Sequence, residues 1–430
     1  MMGVARLAGP LIISRLGDMT SSFLFLTFVG HFLPESLGQA SFAWAFISFA
    51  TVVGIGLFST LMIDAAGLKV VGRGPANMLL ATSFRVALTA GFLVSGGVLA
   101  VLIVQYGASE LLRSQKLGLW IISLSLPAIY CQIVTFNYLN ATGHCGYELK
   151  FVWVSNVACV VIGLVYVTAN LPLSFVFFAL TYVSLRWVLL LAMLLYFALV
   201  EKHVNASSFW LCFRQAKIIR FIVNGLPLAL CFAGESFLYF ALSLISGRIG
   251  SLELSAYQIS LHFLSLIYMI SIGVGNSIAI LVAGAAPEIK ISAAKETLLE
   301  GAKFGGLLMV PCLVICMALP GYVAGLYTSD PAVVKLASES IRFSALFLVF
   351  EFVYVILRMT LRSLGDSWVP TFATICCLNG VGLSLTWVLL NIYAQSLRSV
   401  FIALTACTFF LMMYLIYRFF KIYHKMLIRS

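Results

Sequence analysis

Apolar stretches of roughly twenty to thirty residues, the span length a bilayer demands, recur along the whole chain between short polar joints. About twenty apolar residues in a helix match the ~30 Å hydrocarbon thickness of a bilayer. In hydrocarbon every backbone amide must be paired internally, so only helices or a closed barrel can cross. Barrel strands would show as alternating segments of about ten residues, and no such pattern is present. The chain therefore reads as an all-α integral membrane protein of about twelve spanning helices. With 62% hydrophobic and 10% charged residues over 430 positions, a soluble globular fold is excluded. The net charge of +11 is scattered over short loops instead of gathered on one face, so no nucleic-acid partner is expected. Met1–Arg6 leads directly into a full-length span, and no removable leader is expected.

One stretch is unusual. Gly225–Gly250, GLPLALCFAGESFLYFALSLISGRIG, carries Pro227 near one end and a single carboxylate, Glu235, near its middle. A charge at that depth costs roughly 2.5–3.5 kcal/mol on insertion scales, and such residues are retained mostly for ions or substrates. Gly9–Gly30 repeats the design with Pro10 and Asp18. One offset aligns both pairs (227 − 10 = 217 and 235 − 18 = 217).

The repeat continues. Gly54-Ile55-Gly56 recurs as Gly273-Val274-Gly275, and Asn140–His144 parallels Arg362–Asp366. The longest polar joint, 201–217, separates six spans from six. Two pseudo-symmetric six-helix lobes are expected, 1–200 and 218–430, joined by an interfacial amphipathic link at 201–217. Repeats that run in the same direction are one known transporter plan, with the ligand site between the lobes. Lys and Arg concentrate in the joints after even-numbered spans and in the tail, which places both termini in the cytoplasm.

These residues resemble the multidrug and toxic compound extrusion (MATE) family, within a superfamily that also holds polysaccharide and lipid-linked flippases. The resemblance is carried by Pro10-Leu11-Ile12, Val29-Gly30 and Gly54-Ile55-Gly56 in the first half. In the second it lies in Gly225-Leu226-Pro227, in 249–272 and in Leu361–Asp366. Glu235, eight residues after Pro227, matches the seventh-helix glutamate of the NorM-like branch. Glu351, eleven residues before Arg362, matches its tenth-helix aspartate. The resemblance implies a V-shaped pair of lobes and cation coupling at these two acids. The family's first-helix aspartate would fall at Phe25, which binds no cation; Asp18, two turns earlier, is a relocated candidate. Coupling is therefore expected in the second lobe.

Arg358 follows Glu351 by seven residues and shares its helix face, as Arg15 does with Asp18 at a spacing of three. Intramembrane Gln132, Asn137, Asn156, Gln258, His262 and Asn379 are candidates to line a central cavity with Tyr239, Tyr354 and Arg358. An amide in a span also serves as an interhelical hydrogen bond, and a histidine can relay protons. Pro10 and Pro227 are candidate hinges.

The resulting expectation is a secondary active antiporter, not an enzyme: no H-E-x-x-H, G-x-S-x-G or phosphate-binding glycine loop is present. It exports small organic cations in exchange for H⁺ or Na⁺, with Glu235 and Glu351 as metal ligands if the ion is Na⁺. No cofactor is expected; the contacts are membrane lipid and substrate, the state is monomeric, and the site is the inner membrane. The alternative is a lipid-linked oligosaccharide flippase, whose pyrophosphate would call on Arg15, Arg186 and Arg358.

Overall fold

The computed structural model describes residues 2–32, 37–68, 73–107, 117–168, 174–200, 218–392 and 396–427. All regular structure in them is helical. The first six spans are α1 (Met2–Phe32), α2 (Leu37–Leu68), α3 (Arg73–Tyr106), a broken fourth made of α4 (Leu117–Ser123) and α5 (Leu126–Ala141), α6 (Cys145–Thr168) and α7 (Phe175–Val200). The second six begin with α8 (Ile218–Ile249), α9 (Ser251–Ala283) and α10 (Lys290–Ala318). After the short α11 (Pro320–Gly325) come α12 (Pro331–Ser363), an interrupted eleventh span and α15 (Leu397–Leu427). That eleventh span consists of α13 (Trp368–Ile375), a π-helical segment Cys376–Gly382 and α14 (Leu383–Ile392). Eleven helices or helix pairs among the described residues are long and apolar enough to cross a membrane. The chain is a multi-pass membrane protein. The joint at 201–217, read from sequence as an amphipathic link, lies outside the described residues.

Local chemistry sets the helix ends. The Asp330 Oδ1 accepts the Ala332 amide at 2.9 Å ahead of Pro331, an N-cap followed by proline at the first helical position. Ser174 Oγ accepts the Phe177 amide at 3.2 Å and starts α7 in the same way. The fourth and tenth spans both stop at a glycine in the left-handed region, Gly143 (φ 92°) and Gly365 (φ 93°). Their hydrogen bonds match one for one. Gly143 and His144 amides donate to Asn140 and Leu139 carbonyls, while Gly365 and Asp366 amides donate to Arg362 and Leu361. This is the paired-bond helix stop that glycine permits. Both sites align in the sequence at one offset (143 + 222 = 365).

Two compact units account for the chain. The N-terminal unit is Ile13–Ala229; the C-terminal unit combines Met1–Ile12 with Leu230–Ser430. The division falls within α1 and α8, two residues after Pro10 and Pro227, again at one offset (229 − 12 = 217). Each unit thus takes the first turns of the helix that continues into the other. The packing reason is visible in both. In the N-terminal unit a Cβ at Gly56 would meet Ala229 Cα at 2.7 Å. In the C-terminal unit a Cβ at Gly273 would collide with the Ile12 side chain. Glycine lets the two backbones approach where no side chain could stand.

Candidate functional site

Within the C-terminal unit, α8 presents Cys231, Glu235 and Tyr239 at four-residue spacing, one stripe of one face. The α12 stripe opposite holds Glu351, Tyr354 and Arg358. The two stripes mesh in antiparallel order. Arg358 Nη1 donates to Cys231 Sγ at 3.0 Å and forms an ion pair with Glu235 Oε1. Tyr354 donates to the same Glu235 oxygen at 3.3 Å, and Tyr239 donates to Glu351 Oε1 at 3.2 Å. A third helix, α9, contributes Tyr268, which donates to Glu235 Oε2 at 3.2 Å, and Tyr257, which donates to the Tyr239 carbonyl at 3.2 Å.

All three charges are buried: Glu235 is 6% exposed, Glu351 2% and Arg358 2%. The guanidinium lies over the rings of Phe232 (5.5 Å) and Tyr354 (5.6 Å), which replace part of its lost hydration. Its Nε and Nη2 have no hydrogen-bond partner among the described residues. Sequence spacing put Arg358 beside Glu351; the structure gives it to Glu235. The physical reason is reach: seven residues along one helix separate two side chains by roughly 10 Å, whereas Glu235 projects directly at Arg358 from α8.

Asn379 belongs to the cluster by a different route. It sits in the π-helical segment and donates to the Gly234 carbonyl at 3.0 Å, one residue before Glu235. A π-turn adds a residue to the helical ring and turns a side chain away from its α-helical direction, and such segments gather at functional sites.

A sequence model of the family described as MatE matches residues 227–388, which contain every residue of this cluster. A probable multidrug resistance protein NorM of Caulobacter vibrioides is 27% identical across 96% of this chain and 90% of its own length. The C-terminal half of the chain thus resembles the MATE family, and the NorM relative extends the likeness along nearly its whole length. The multidrug resistance protein PmpM of Pseudomonas aeruginosa is 26% identical over 46% of this chain and 42% of its own. Among solved structures, an outward-facing multidrug resistance MATE family transporter superposes with TM-score 0.84 at 16% identity, covering 98% of this chain and 96% of that one. The eukaryotic MATE transporter AtDTX14 superposes with TM-score 0.79 at 16% identity, over 96% and 94%. These two likenesses concern the fold.

Compared with the MATE pattern drawn from sequence, the N-terminal unit has its own polar centre. The side chain of Phe25, where the family acid would fall, lies outside the described residues. Asp18 pairs with Arg15 at 3.2 Å, as the spacing of three predicts, and its side chain is 49% exposed. Arg15 also reaches Glu148 Oε1 at 3.4 Å, and Asn140 donates to Glu148 Oε2. Glu148 is 1% exposed. Sequence reasoning passes over it because an acid in the first turn of a span reads as interfacial. Four of the amide candidates act as links within their own unit. Gln132 donates to the Arg186 carbonyl (3.0 Å), Asn137 to Phe58 (3.0 Å) and Asn156 to Gly17 (2.9 Å), while Asn156 also accepts from Ser21. Gln258, exposed, donates to Ser243 Oγ at 2.7 Å. His262, also exposed, shares a 2.9 Å hydrogen bond with the Tyr327 hydroxyl. Pro10 and Pro227 lie inside unbroken helices.

No sequence signal pointed to Tyr268 or Tyr257. Cys231 was legible in principle, since its spacing of four from Glu235 fixes a shared face.

Proposed function

We propose that this MATE-like chain is a secondary active antiporter that exports small organic cations, and that Glu235 and Glu351 form its cation-coupling site. The observation that carries the reading is the buried charge set. Two carboxylates and one guanidinium sum to one negative charge when both acids are ionised, so a single H⁺ or Na⁺ brings the cluster to neutrality. An uncompensated charge in such surroundings is costly enough that the cluster takes up either the coupling ion or a cationic substrate, and competition between them links the two flows. Arg358 already neutralises Glu235, so the added cation belongs nearer Glu351, whose hydrogen-bond partner among the described residues is the Tyr239 hydroxyl. The NorM and PmpM relatives, whose names describe multidrug resistance, support export of drug-like compounds.

In this reading the protein works as a monomer in the cytoplasmic membrane, with both termini inside as loop charge indicates. The lipid-linked flippase alternative is disfavoured by the arginines it would need. Arg15 is engaged by Asp18 and Glu148, Arg186 Nε by the Tyr182 hydroxyl at 3.0 Å, and Arg358 by Glu235.

The test is efflux of a fluorescent cationic dye from proteoliposomes under separately imposed pH and Na⁺ gradients. One gradient should drive efflux in the wild type, and Glu351→Gln should abolish the acceleration. Dye efflux indifferent to both gradients would reject the antiporter.

A further inference from the structure

In the C-terminal unit α12 and α15 run in the same direction, since Arg398 lies at Phe343 and Phe409 lies at Phe350. Between them, on the outer face of the pair, runs an open groove of about 470 Å³. Phe343, Leu346 and Phe350 form one wall; Ile402 and Phe410 form part of the other. The groove exists because α15 places the small Thr405 and Ala406 where a large side chain would fill the space. Thr405 Oγ1 donates to the Phe401 carbonyl of its own helix at 2.8 Å, so the lining offers almost nothing polar. At the far end Phe350 and Phe409 meet at 5.2 Å and close it.

Two features of the groove point to its occupant. From Ile402 to Phe410 it runs eight residues, roughly 12 Å at ~1.5 Å per residue, close to the ~15 Å depth of one leaflet. At its open end stands a cation. The Arg398 guanidinium lies 4.4 Å from the Phe343 ring centroid, is exposed, and has no carboxylate partner among the described residues. Guanidinium stacked on an aromatic face keeps its N–H edge available for a phosphate. Arg342, four residues before Leu346, is exposed on the same face, with the exposed Glu339 three residues earlier to offset it. The mouth therefore keeps a net positive charge.

We propose that this groove is a binding site for one anionic phospholipid, its acyl chain lying between α12 and α15 and its phosphate held by Arg398. The positive mouth repels a cationic substrate, so the groove is not the path of the exported compound. Within a bilayer an acyl chain gains no hydrophobic free energy by leaving other chains. The groove shape decides that a chain sits there, and Arg398 decides which lipid supplies it. The inference is independent of the antiport reading and stands or falls without it.

Native mass spectrometry of the purified full-length chain, delipidated and supplied with phosphatidylglycerol or phosphatidylcholine of identical acyl chains, tests this. The wild type should retain phosphatidylglycerol about tenfold better. Arg398→Gln should remove that preference while leaving lipid retention itself, and Ala406→Phe should remove one bound lipid of either kind. Thr405→Leu, a smaller intrusion into the same space, replaces Ala406→Phe should the latter not fold, and should likewise remove one bound lipid. An unchanged headgroup preference in Arg398→Gln, or an unchanged number of bound lipids in both groove variants, overturns the proposal. Displacement of the lipid by the cationic dye, or a dimer mass that the groove variants abolish, overturns it as well, in favour of a substrate route or a second copy of this chain.

Discussion

Arg358 donates to Glu235 on the neighbouring helix, although Glu351 stands on its own helix face seven residues away. Glu351 is left with a hydrogen bond from Tyr239 at 3.2 Å. The two acids, equivalent partners by sequence, are therefore in different electrostatic positions, one compensated by a cation and one by a phenol.

The buried pair should behave as a unit. Removing one member leaves the other charge uncompensated, a loss of about 3–5 kcal/mol, whereas removing both is often close to neutral. Glu235→Gln and Arg358→Gln should each lower the thermal unfolding midpoint in detergent, and the double variant should recover most of it. A double variant as unstable as the sum of its parents would mean that the pair is not what holds α8 against α12.

Tyr239→Phe isolates the other acid. It deletes the hydroxyl bonded to Glu351 and keeps the ring, a change of roughly 0.5–1.5 kcal/mol for a typical hydrogen bond. Gradient-driven dye efflux should fall while the unfolding midpoint moves little. Coupling identical to wild type would remove Tyr239 from the site.

The helix stops at Gly143 and Gly365 give a test of the repeat. Both sit at positive φ, where an L-residue is disfavoured by roughly 1–2 kcal/mol. Gly143→Ala and Gly365→Ala should destabilise to similar extents, and asparagine at either position should be better tolerated. Thermal melts of the four variants decide it. A large effect at one site with none at the other would contradict the equivalence.

Asn379 offers a fourth. Asn379→Ala removes the 3.0 Å bond that Asn379 adds to the helix-bonded Gly234 carbonyl and should cost roughly 0.5–1.5 kcal/mol. Hydrogen exchange along α8 should show faster opening around Glu235. Unaltered protection there would show that the π-helical segment does not anchor the acid.

Much of the architecture was readable without coordinates because membrane folding starts from a severe local rule: each apolar run must pair its own backbone. The spans, and the duplicated glycine stops at Gly143 and Gly365, follow from residues close together in the chain. The pairing of Pro10 with Pro227 was equally legible, and the boundary between the compact units falls two residues beyond each proline. Why the units exchange those first turns was not legible, because it depends on Gly56 meeting Ala229 and Gly273 meeting Ile12, contacts distant in sequence. The candidate site divides similarly. Glu235 and Glu351 stood out as acids where hydrocarbon should be. Tyr257 and Tyr268 did not, since a tyrosine in a span serves equally well facing lipid or binding a carboxylate.

Sequence alone determined that this chain crosses a bilayer in two repeated halves and buries acids at Glu235 and Glu351, because hydrophobic length and the cost of a charge in hydrocarbon are properties of single segments. Tertiary structure decided which acid keeps the arginine, that Asn379 supports Gly234 from a π-helical turn, and that Thr405 and Ala406 open a groove beneath Arg398. Those outcomes depend on which helix face meets which, and helix rotation is set by packing against neighbours that no single segment encodes.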